Sequence, residues 1–392
     1  MLSKQFDITP LVKAVPAVNL WGHSALIGMV ISEQNALNIE LMRELESNYQ
    51  SHARLDSIDI DNNKWPTDQL KQIYTISYPL RSITETRESL VYWELYATIL
   101  IPFYSQKIAA RVDKNGKPAK TALVIHTFHI CDNHASSVRM MQKAVDNMQA
   151  SLHKSINWDW MATYTSSATE KDHINIAKDR LKWTIGVDGE GVISPDNMRA
   201  WKNKIAIKIK TVDTFINNSP NEDDALHSVA FTLLNSNIGG CGIIRIPRIA
   251  SVSIVSLIHL FSQCYAKTSI VHVAAYDRMY LCGESFLHPL TKIQQTLLNN
   301  YCELDAGNSN ISIFGHEYTN GTSFMATIEE LLKVNTEIQT WRYDYYVKLL
   351  RLDKELSRHY ASRTFTKYVE NYLEARYKDE TDAWITATAY EH

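Results

Sequence analysis

The feature that most constrains the fold is an alternation of short apolar runs with helical patterns between residues 121 and 282. Residues 121–131 (TALVIHTFHIC) are rich in strand-forming side chains and are bounded as buried strands are. Such alternation predicts an α/β fold with a mostly parallel, doubly wound sheet. Further strand-length runs lie at 241–247, 269–274 and 279–282, and helical patterns lie at 136–153, 226–234 and 251–265.

Local details of this pattern give further expectations. The spacing of Ile205, Ile207 and Ile209 is typical of a strand, which we expect to end near Asp213. Gly239 and Gly240 are expected to end the preceding helix. The last two apolar runs are closely spaced, which predicts an antiparallel strand at the edge of the sheet.

Composition limits the possible classes of protein. The 392 residues are 45% hydrophobic and 21% charged, which excludes a wholly disordered chain. A net charge of -3 excludes a uniformly basic nucleic-acid coat but leaves a local basic groove possible. Five scattered cysteines without a C-x-x-C pair favour reduced thiols. No apolar stretch reaches the roughly 18 residues of a membrane helix, so we expect a cytoplasmic protein without a membrane partner.

A group of metal-binding residue types lies at the end of the first apolar run. It comprises His126, His129, Cys131 and His134. On a strand, His129 and Cys131 share one face and His126 lies on the other, while His134 lies beyond the strand end. This arrangement does not favour a tetrahedral zinc site. The prediction is therefore no metal, and the group is interpreted as a core strand with a polar end.

Charged residues at the ends of the predicted strands suggest a binding site. Arg245 interrupts an apolar run, and Asp213 and Asp277 lie at strand ends. Open α/β sheets bind ligands outside the carboxyl ends of their strands. From spacing alone, the three residues form either such a site or a structural ion pair. The glycine-rich segment 186–191 (GVDGEG) is either a weak phosphate cradle or a solvated turn.

Five segments in the same order carry a resemblance to a known family. The region 90–286 resembles the FtsJ-like, Rossmann-fold RNA 2′-O-methyltransferases, particularly the mRNA-cap branch of eukaryotes and large DNA viruses. The segments are HICDNHASSV, WTIGVDGEGVISPDNMRAW, IKTVDT, GGCGIIRIP and AAYDRMYLCGESF.

The resemblance implies a cofactor, S-adenosylmethionine, and a catalytic tetrad of Lys, Asp, Lys and Glu. This tetrad removes the proton from a ribose 2′-hydroxyl, which then attacks the methyl group. The tetrad positions correspond here to Val91, Asp213, Arg245 and Asp277. The cofactor-binding positions correspond to Asp132, Ala135, Ser136 and Asp188.

The departures from the family pattern affect both parts of the implied site. Arg245 keeps its proton at neutral pH and so cannot act as a general base, and Val91 is apolar. Ala135 and Ser136 replace two glycines that allow the backbone to approach a ligand closely. We therefore expect a catalytically degenerate protein. The alternative is an active S-adenosylmethionine-dependent mRNA cap 2′-O-methyltransferase with an atypical tetrad.

The resemblance also implies partners and a place of action. The expected partner is RNA, including capped mRNA, or a protein of a capping or transcription complex, and a viral factory or virion is a further location. The predicted organisation is a mostly helical extension over 1–83, a methyltransferase-fold domain over 84–290 and a C-terminal helical extension over 291–392. The segment 341–378 has nine basic and five acidic residues with interleaved aromatics. It either contacts RNA or packs its aromatic rings on the sheet.

Overall fold

A single eight-stranded sheet organises the described part of the chain in this computed structural model. The strands are β1 (Lys4–Asp7), β2 (Leu123–Ile130), β3 (Ile156–Thr163), β4 (Trp183–Thr184), β5 (Val212–Asn217), β6 (Ser236–Ile246), β7 (Tyr265–Val273) and β8 (Arg278–Phe286). The structure describes residues 3–9, 68, 71, 86–112, 121–130, 132, 135–164, 179–187, 189, 191, 193–219, 224–247, 249, 252–274, 276–287, 289–292, 295–296, 298–299, 322–356 and 365–390.

The strand order is β1-β7-β8-β6-β5-β2-β3-β4. Strands β2 to β7 share one direction, whereas β8 is antiparallel to both β6 and β7, and β1 is antiparallel to β7. The prediction of a mostly parallel α/β sheet is confirmed. An antiparallel strand does lie at the edge, but it is β1. The reversed strand of the final pair, β8, lies inside the sheet because the β6–β7 crossover leaves space for one strand between them.

Helices cover both faces of the sheet. Helices α4, α5, α6 and α7 pack on one face, and α1, α2 and α3 pack on the other together with the end of α8. A π-helical segment, Tyr96–Leu100, joins α1 to α2. The helices are α1 (Arg87–Leu95), α2 (Ile101–Ala109), α3 (Ser136–Leu152), α4 (Pro195–Lys208), α5 (Asp224–Asn235), α6 (Val252–Cys264), α7 (Thr322–Leu356) and α8 (Phe365–Thr388).

Two local predictions are wrong. The strand expected from Ile205, Ile207 and Ile209 is instead the end of α4, which the Ser194 side chain caps. Helical geometry buries Ile205 and leaves Ile207 exposed, and Ile209 follows the helix end. The glycines at 239 and 240 do not end α5. That helix passes directly into β6 at residue 236, and both glycines lie within β6.

The two ends of the described chain meet on α1. The buried Glu94 carboxylate accepts hydrogen bonds from the Ser3 amide and, at 3.1 Å, from Trp384 Nε1 of α8. Strand β1 lies within the predicted helical extension 1–83 and yet belongs to the sheet. Most of that extension, from residue 10 to residue 83, lies outside the described residues apart from 68 and 71.

Candidate functional site

Six strands of the sheet share a direction, so they all begin on one side and end on the other. We call the side where these strands begin the amino edge and the side where they end the carboxyl edge, as distinct from the edge strands β1 and β4. Arg245 is the penultimate residue of β6, and Asp277 lies in the turn between β7 and β8, so both lie at the carboxyl edge. Val91 is fully buried in α1. Asp188 lies outside the described residues.

Asp213 lies at the opposite edge from the one predicted. It is the second residue of β5, which continues to Asn217, so it belongs to the amino edge. The register of β5 against β6 separates Asp213 from Arg245 by about 16 Å at ~3.3 Å per residue. The resemblance implies an aspartate at the end of a strand, whereas Asp213 lies at the start of β5. The expected grouping of Asp213 with Arg245 and Asp277 is therefore wrong.

The contacts of Asp213 explain its position. Its carboxylate accepts hydrogen bonds from the His126 amide at 2.9 Å and from Asn237 Nδ2 at 3.2 Å. These bonds join the first halves of three neighbouring strands, β2, β5 and β6. The role of Asp213 in the fold is to tie the amino edge together.

Asp277 is the acceptor for a cluster that holds α7 against the sheet. Arg342 Nε of α7 lies 2.8 and 2.7 Å from the two carboxylate oxygens of Asp277, and His272 Nε2 lies 2.9 Å from one of them. Tyr346 Oη donates a weaker bond at 3.4 Å. Burial opposes ionisation, but Arg342 and the hydrogen bonds outweigh it and hold the pKa of Asp277 below its ordinary value. The expected pairing of Arg245 with Asp213 is wrong, because the two residues lie at opposite edges of the sheet.

A polar network that the sequence did not predict occupies the carboxyl edge beside Arg245. Asn218 follows the end of β5, and its Nδ2 donates to Glu88 Oε1 of α1 at 2.9 Å. Tyr280 Oη of β8 donates to Asn218 Oδ1 at 3.0 Å, and Arg278 Nη1 donates to Glu88 Oε1 at 2.7 Å. The four residues come from α1, β5 and β8, so only the tertiary fold brings them together.

Arg245 lies directly against this network. It is the register partner of Tyr280 across β6 and β8, and it lies between Asn218 and Tyr280 in the strand order. Its residue is 7% exposed, so the guanidinium has little access to water. Arg245 thus lies beside the Glu88–Arg278 ion pair, with Asn218 and Tyr280 as neutral hydrogen-bonding groups between them.

The segment that corresponds to the family's cofactor loop has a structural role of its own. The buried Asp132 carboxylate accepts hydrogen bonds from the amides of Ser137 and Val138, each at 3.0 Å, and so caps α3. Burial raises the pKa of Asp132 to about 6. Ala135 has a φ of 51°, a left-handed conformation that glycine adopts without strain. This backbone shape is one that glycine, the residue of the resembled family at this position, adopts readily, whereas Ala135 carries a Cβ atom.

Two buried polar atoms at the same edge lack a hydrogen-bond partner among the described residues. They are Ser136 Oγ at the start of α3 and Asn217 Nδ2 at the end of β5. Asn217 is the register partner of Ile130, the last residue of β2, so both atoms lie where β2 and β5 end. Unpartnered buried groups of this kind are rare and favour a polar ligand.

These observations test whether the residues fit S-adenosylmethionine. Ser136 and Asn217 are compatible with a polar ligand. However, both oxygens of Asp132 already cap α3, and the Ala135 Cβ occupies the place of a glycine. The residues do not fit the cofactor in the way that the resemblance requires.

The histidines of β2 have partners in the protein. His129 is fully buried between Thr127 Oγ1 and the Ser137 hydroxyl, which also contacts Tyr96 Oη. Burial lowers the pKa of His129 to about 3. In the described ranges no three His, Cys, Asp or Glu side chains are grouped as metal ligands, and Cys131 and His134 lie outside those ranges.

The aromatic rings of α7 pack on the sheet. Trp341 lies 4.7 Å from His272 of β7, measured between ring centroids, and stacks on Tyr345 at 5.1 Å. Tyr345 and Tyr346 are buried. Of the two interpretations of this segment, packing describes these rings, although Trp341 is only half-buried; the rings of Tyr343 and Tyr360 lie outside the described residues.

Comparison with known proteins adds no family to this description. Neither the family models nor the curated proteins give a match to this chain. Within the described residues, no helix has both the length and the apolar character needed to cross a membrane.

Proposed function

We propose that this chain is a non-catalytic protein of the FtsJ-like methyltransferase fold. It acts by binding RNA or a partner protein in an mRNA capping or transcription assembly. The observation that carries the proposal is the network of Glu88, Asn218, Arg278 and Tyr280 at the carboxyl edge. It lies beside Arg245, the residue that corresponds to the family's second lysine.

The chemistry of these groups supports the absence of catalysis. Removing a proton from a ribose hydroxyl needs a base whose pKa lies near neutrality. Arg245 and Arg278 stay protonated at any physiological pH. Glu88 is held in a charge-assisted hydrogen bond to Arg278, and Val91 lies in the apolar core. None of the four groups in the network is a lysine, which is the base that the family uses.

The architecture supports the fold part of the proposal. The mostly parallel sheet has helices on both faces, as the resemblance implies. Its carboxyl edge gathers residues from α1, β5, β6 and β8, the same edge at which open α/β sheets bind ligands. This position supports the proposal that the carboxyl edge is the counterpart of the family's site.

One observation favours the second candidate, an active S-adenosylmethionine-dependent cap 2′-O-methyltransferase. Ser136 Oγ and Asn217 Nδ2 are buried at the ends of β2 and β5 with no partner among the described residues. In that case these two groups bind the cofactor, and a group other than Arg245 takes the proton.

Calorimetric titration with S-adenosylmethionine separates the two candidates. The proposal predicts no heat of binding at micromolar concentrations for the natural chain. Ala135→Gly removes the added Cβ, and His153→Gly removes a matched left-handed residue at the far end of α3. Micromolar binding to the natural chain, competed by the demethylated cofactor, would favour the second candidate. Its case would be stronger still if Ala135→Gly but not His153→Gly tightened that binding.

A further inference from the structure

Exposed aliphatic side chains gather at the amino edge of the sheet. Seven large apolar residues are well exposed in the described part of the chain, and five of them lie at this edge. Ile207 and Ile238 are the most exposed of the five, at 76% and 74%. The five come from the ends of α2 and α4, the starts of β2 and β6, and the end of the antiparallel β8: Val112, Val124, Ile207, Ile238 and Leu287.

A bulge in β6 directs Ile238 into solvent. The register between β5 and β6 shifts at this point, and Gly239 has a φ of 75°. Gly240 leaves no room for a side chain, since a Cβ there would lie 2.8 Å from the carbonyl oxygens of Asn237 and Asp213. Bulges commonly re-aim side chains beside functional sites.

Hydrogen bonds on both sides hold this bulge in place. The Lys107 ammonium of α2 donates to the Gly239 carbonyl, and Asn237 Nδ2 donates to Asp213. Burial of Lys107 lowers its pKa. The exposed isoleucine is therefore presented by a fixed backbone.

The charges at this edge have the opposite sign to that of the whole chain. The chain has a net charge of -3. Among the described residues, the amino edge nevertheless has cations at the ends of α2, α3 and α4 and at the start of β7, against the carboxylates of Asp213 and Glu284, the latter paired with Lys267 at 2.7 Å. These cations are Lys107, Arg111, Lys154, Lys208, Lys210 and Lys267.

We propose that the amino edge binds an acidic, amphipathic segment of a partner protein. Aliphatic side chains of that segment pack on Val124, Ile207 and Ile238, and its carboxylates face the surrounding lysines. The exposed apolar residues here are aliphatic, whereas single-stranded RNA is bound by aromatic stacking platforms. The inference rests on the proposed function, in which the chain acts by binding a partner, and it names the chemistry of that partner.

Fluorescence anisotropy with defined probes tests this inference. The probe is a labelled synthetic peptide with glutamates on one helical face and leucines on the other. The comparison probes are a scrambled peptide of the same composition and a capped single-stranded RNA oligonucleotide. We expect the amphipathic peptide to bind more tightly than either. Ile207→Asp and Ile238→Asp should each weaken that binding at least about tenfold, as expected for central apolar contacts.

Val187→Asp is the matched control, because Val187 is also an exposed apolar residue but follows β4, away from the amino edge. It should leave peptide binding unchanged. Equal losses for Val187→Asp and Ile238→Asp, tighter binding of the RNA, or no binding of the peptide would overturn the inference. So would a self-association of the chain that Ile238→Asp abolishes. Methyl transfer to the RNA in the same samples would end the proposed function but leave the docking surface standing.

Discussion

The two edges of the sheet use charge in different ways. At the carboxyl edge, Arg278 is bonded to Glu88 and Arg342 to Asp277, and all four side chains are largely withdrawn from water. At the amino edge, Lys208 and Lys210 are exposed among exposed aliphatic side chains. These charged groups at the edge where α/β proteins usually bind ligands are engaged in internal ion pairs, whereas those of the opposite edge face solvent.

This difference shows that the two edges are under different physical constraints. A buried charge is stable only with a partner, so changes at the carboxyl edge are coupled through ion pairs. Changes to the exposed side chains of the amino edge, such as Lys208 and Ile207, carry no such constraint and cost little stability. The same substitution type should therefore have very different effects at the two edges.

The largest expected effect is the pH dependence that His129 gives to the end of β2. Burial lowers its pKa from an ordinary value of 6.5 to about 3 in the folded protein, so only the unfolded chain is protonated between these values. The resulting stability is present above pH 6.5 and is lost as the pH falls toward 3, at ~1.4 kcal/mol per pH unit. His129→Gln should reduce the slope of unfolding free energy against pH by that amount. Urea unfolding of the natural chain and of His129→Gln from about pH 6 to pH 4 measures both slopes, and equal slopes for the two proteins would contradict this.

Breaking the Asp277 cluster should have the next largest effect. Arg342→Met leaves a buried carboxylate without its cation, which costs about 3–5 kcal/mol in comparable buried pairs. Lys208→Met at the amino edge is the control and should cost less than about 0.5 kcal/mol. Urea denaturation measures both. A loss below ~1 kcal/mol for Arg342→Met would show that the cluster does not hold α7.

Reversing the pair at the carboxyl edge tests whether Glu88 and Arg278 act on each other. Glu88→Lys and Arg278→Glu should each destabilise the chain, because each places like charges together. The double variant should recover part of the loss, with a coupling energy of roughly 1–3 kcal/mol in a double-mutant cycle. Additive losses would mean that the contact contributes nothing.

The smallest expected effect concerns the left-handed residues at the two ends of α3. A non-glycine residue in this conformation carries ~1–2 kcal/mol of strain, and substitution by glycine removes it. Part of this gain in stability is lost again because glycine raises the conformational entropy of the unfolded chain. Ala135→Gly and His153→Gly should therefore each raise the unfolding free energy by about 0.5–1 kcal/mol. Thermal unfolding checks both, and a destabilised Ala135→Gly would show that its Cβ makes favourable contacts.

The sequence predicted the sheet better than it predicted the site. The alternation of apolar runs was enough for a mostly parallel sheet, and the helix at α3 and the strands around Arg245 follow from local pattern. The place of β8 inside the sheet was not predictable, because it depends on how far the β6–β7 crossover travels. Asp213 was predicted at the end of a strand but lies at the start of β5, because an acidic residue is equally compatible with either end of a strand.

The carboxyl-edge network was missed for a different reason. Asn218 and Glu88 are 130 residues apart, and each looks ordinary in its own segment. The signals that could have found them are local. Glu88 lies in the first turn of a helix capped by Thr86, and the pair Asn217-Asn218 ends an apolar run. Polar residues at such positions point to the edge of the sheet where strands end.

Transfer of a labelled methyl group from S-adenosylmethionine to capped RNA tests the central claim most directly. Three proteins are measured: the natural chain, the single variant Arg245→Lys, which introduces the lysine of the resembled family, and the single variant Asn218→Ala. The account predicts no labelled RNA from any of the three, because Glu88 and Arg278 still fill the site and Val91 supplies no base. Labelled RNA from the natural chain or from Arg245→Lys, lost in Asn218→Ala, would contradict the account and establish a working methyltransferase at the carboxyl edge.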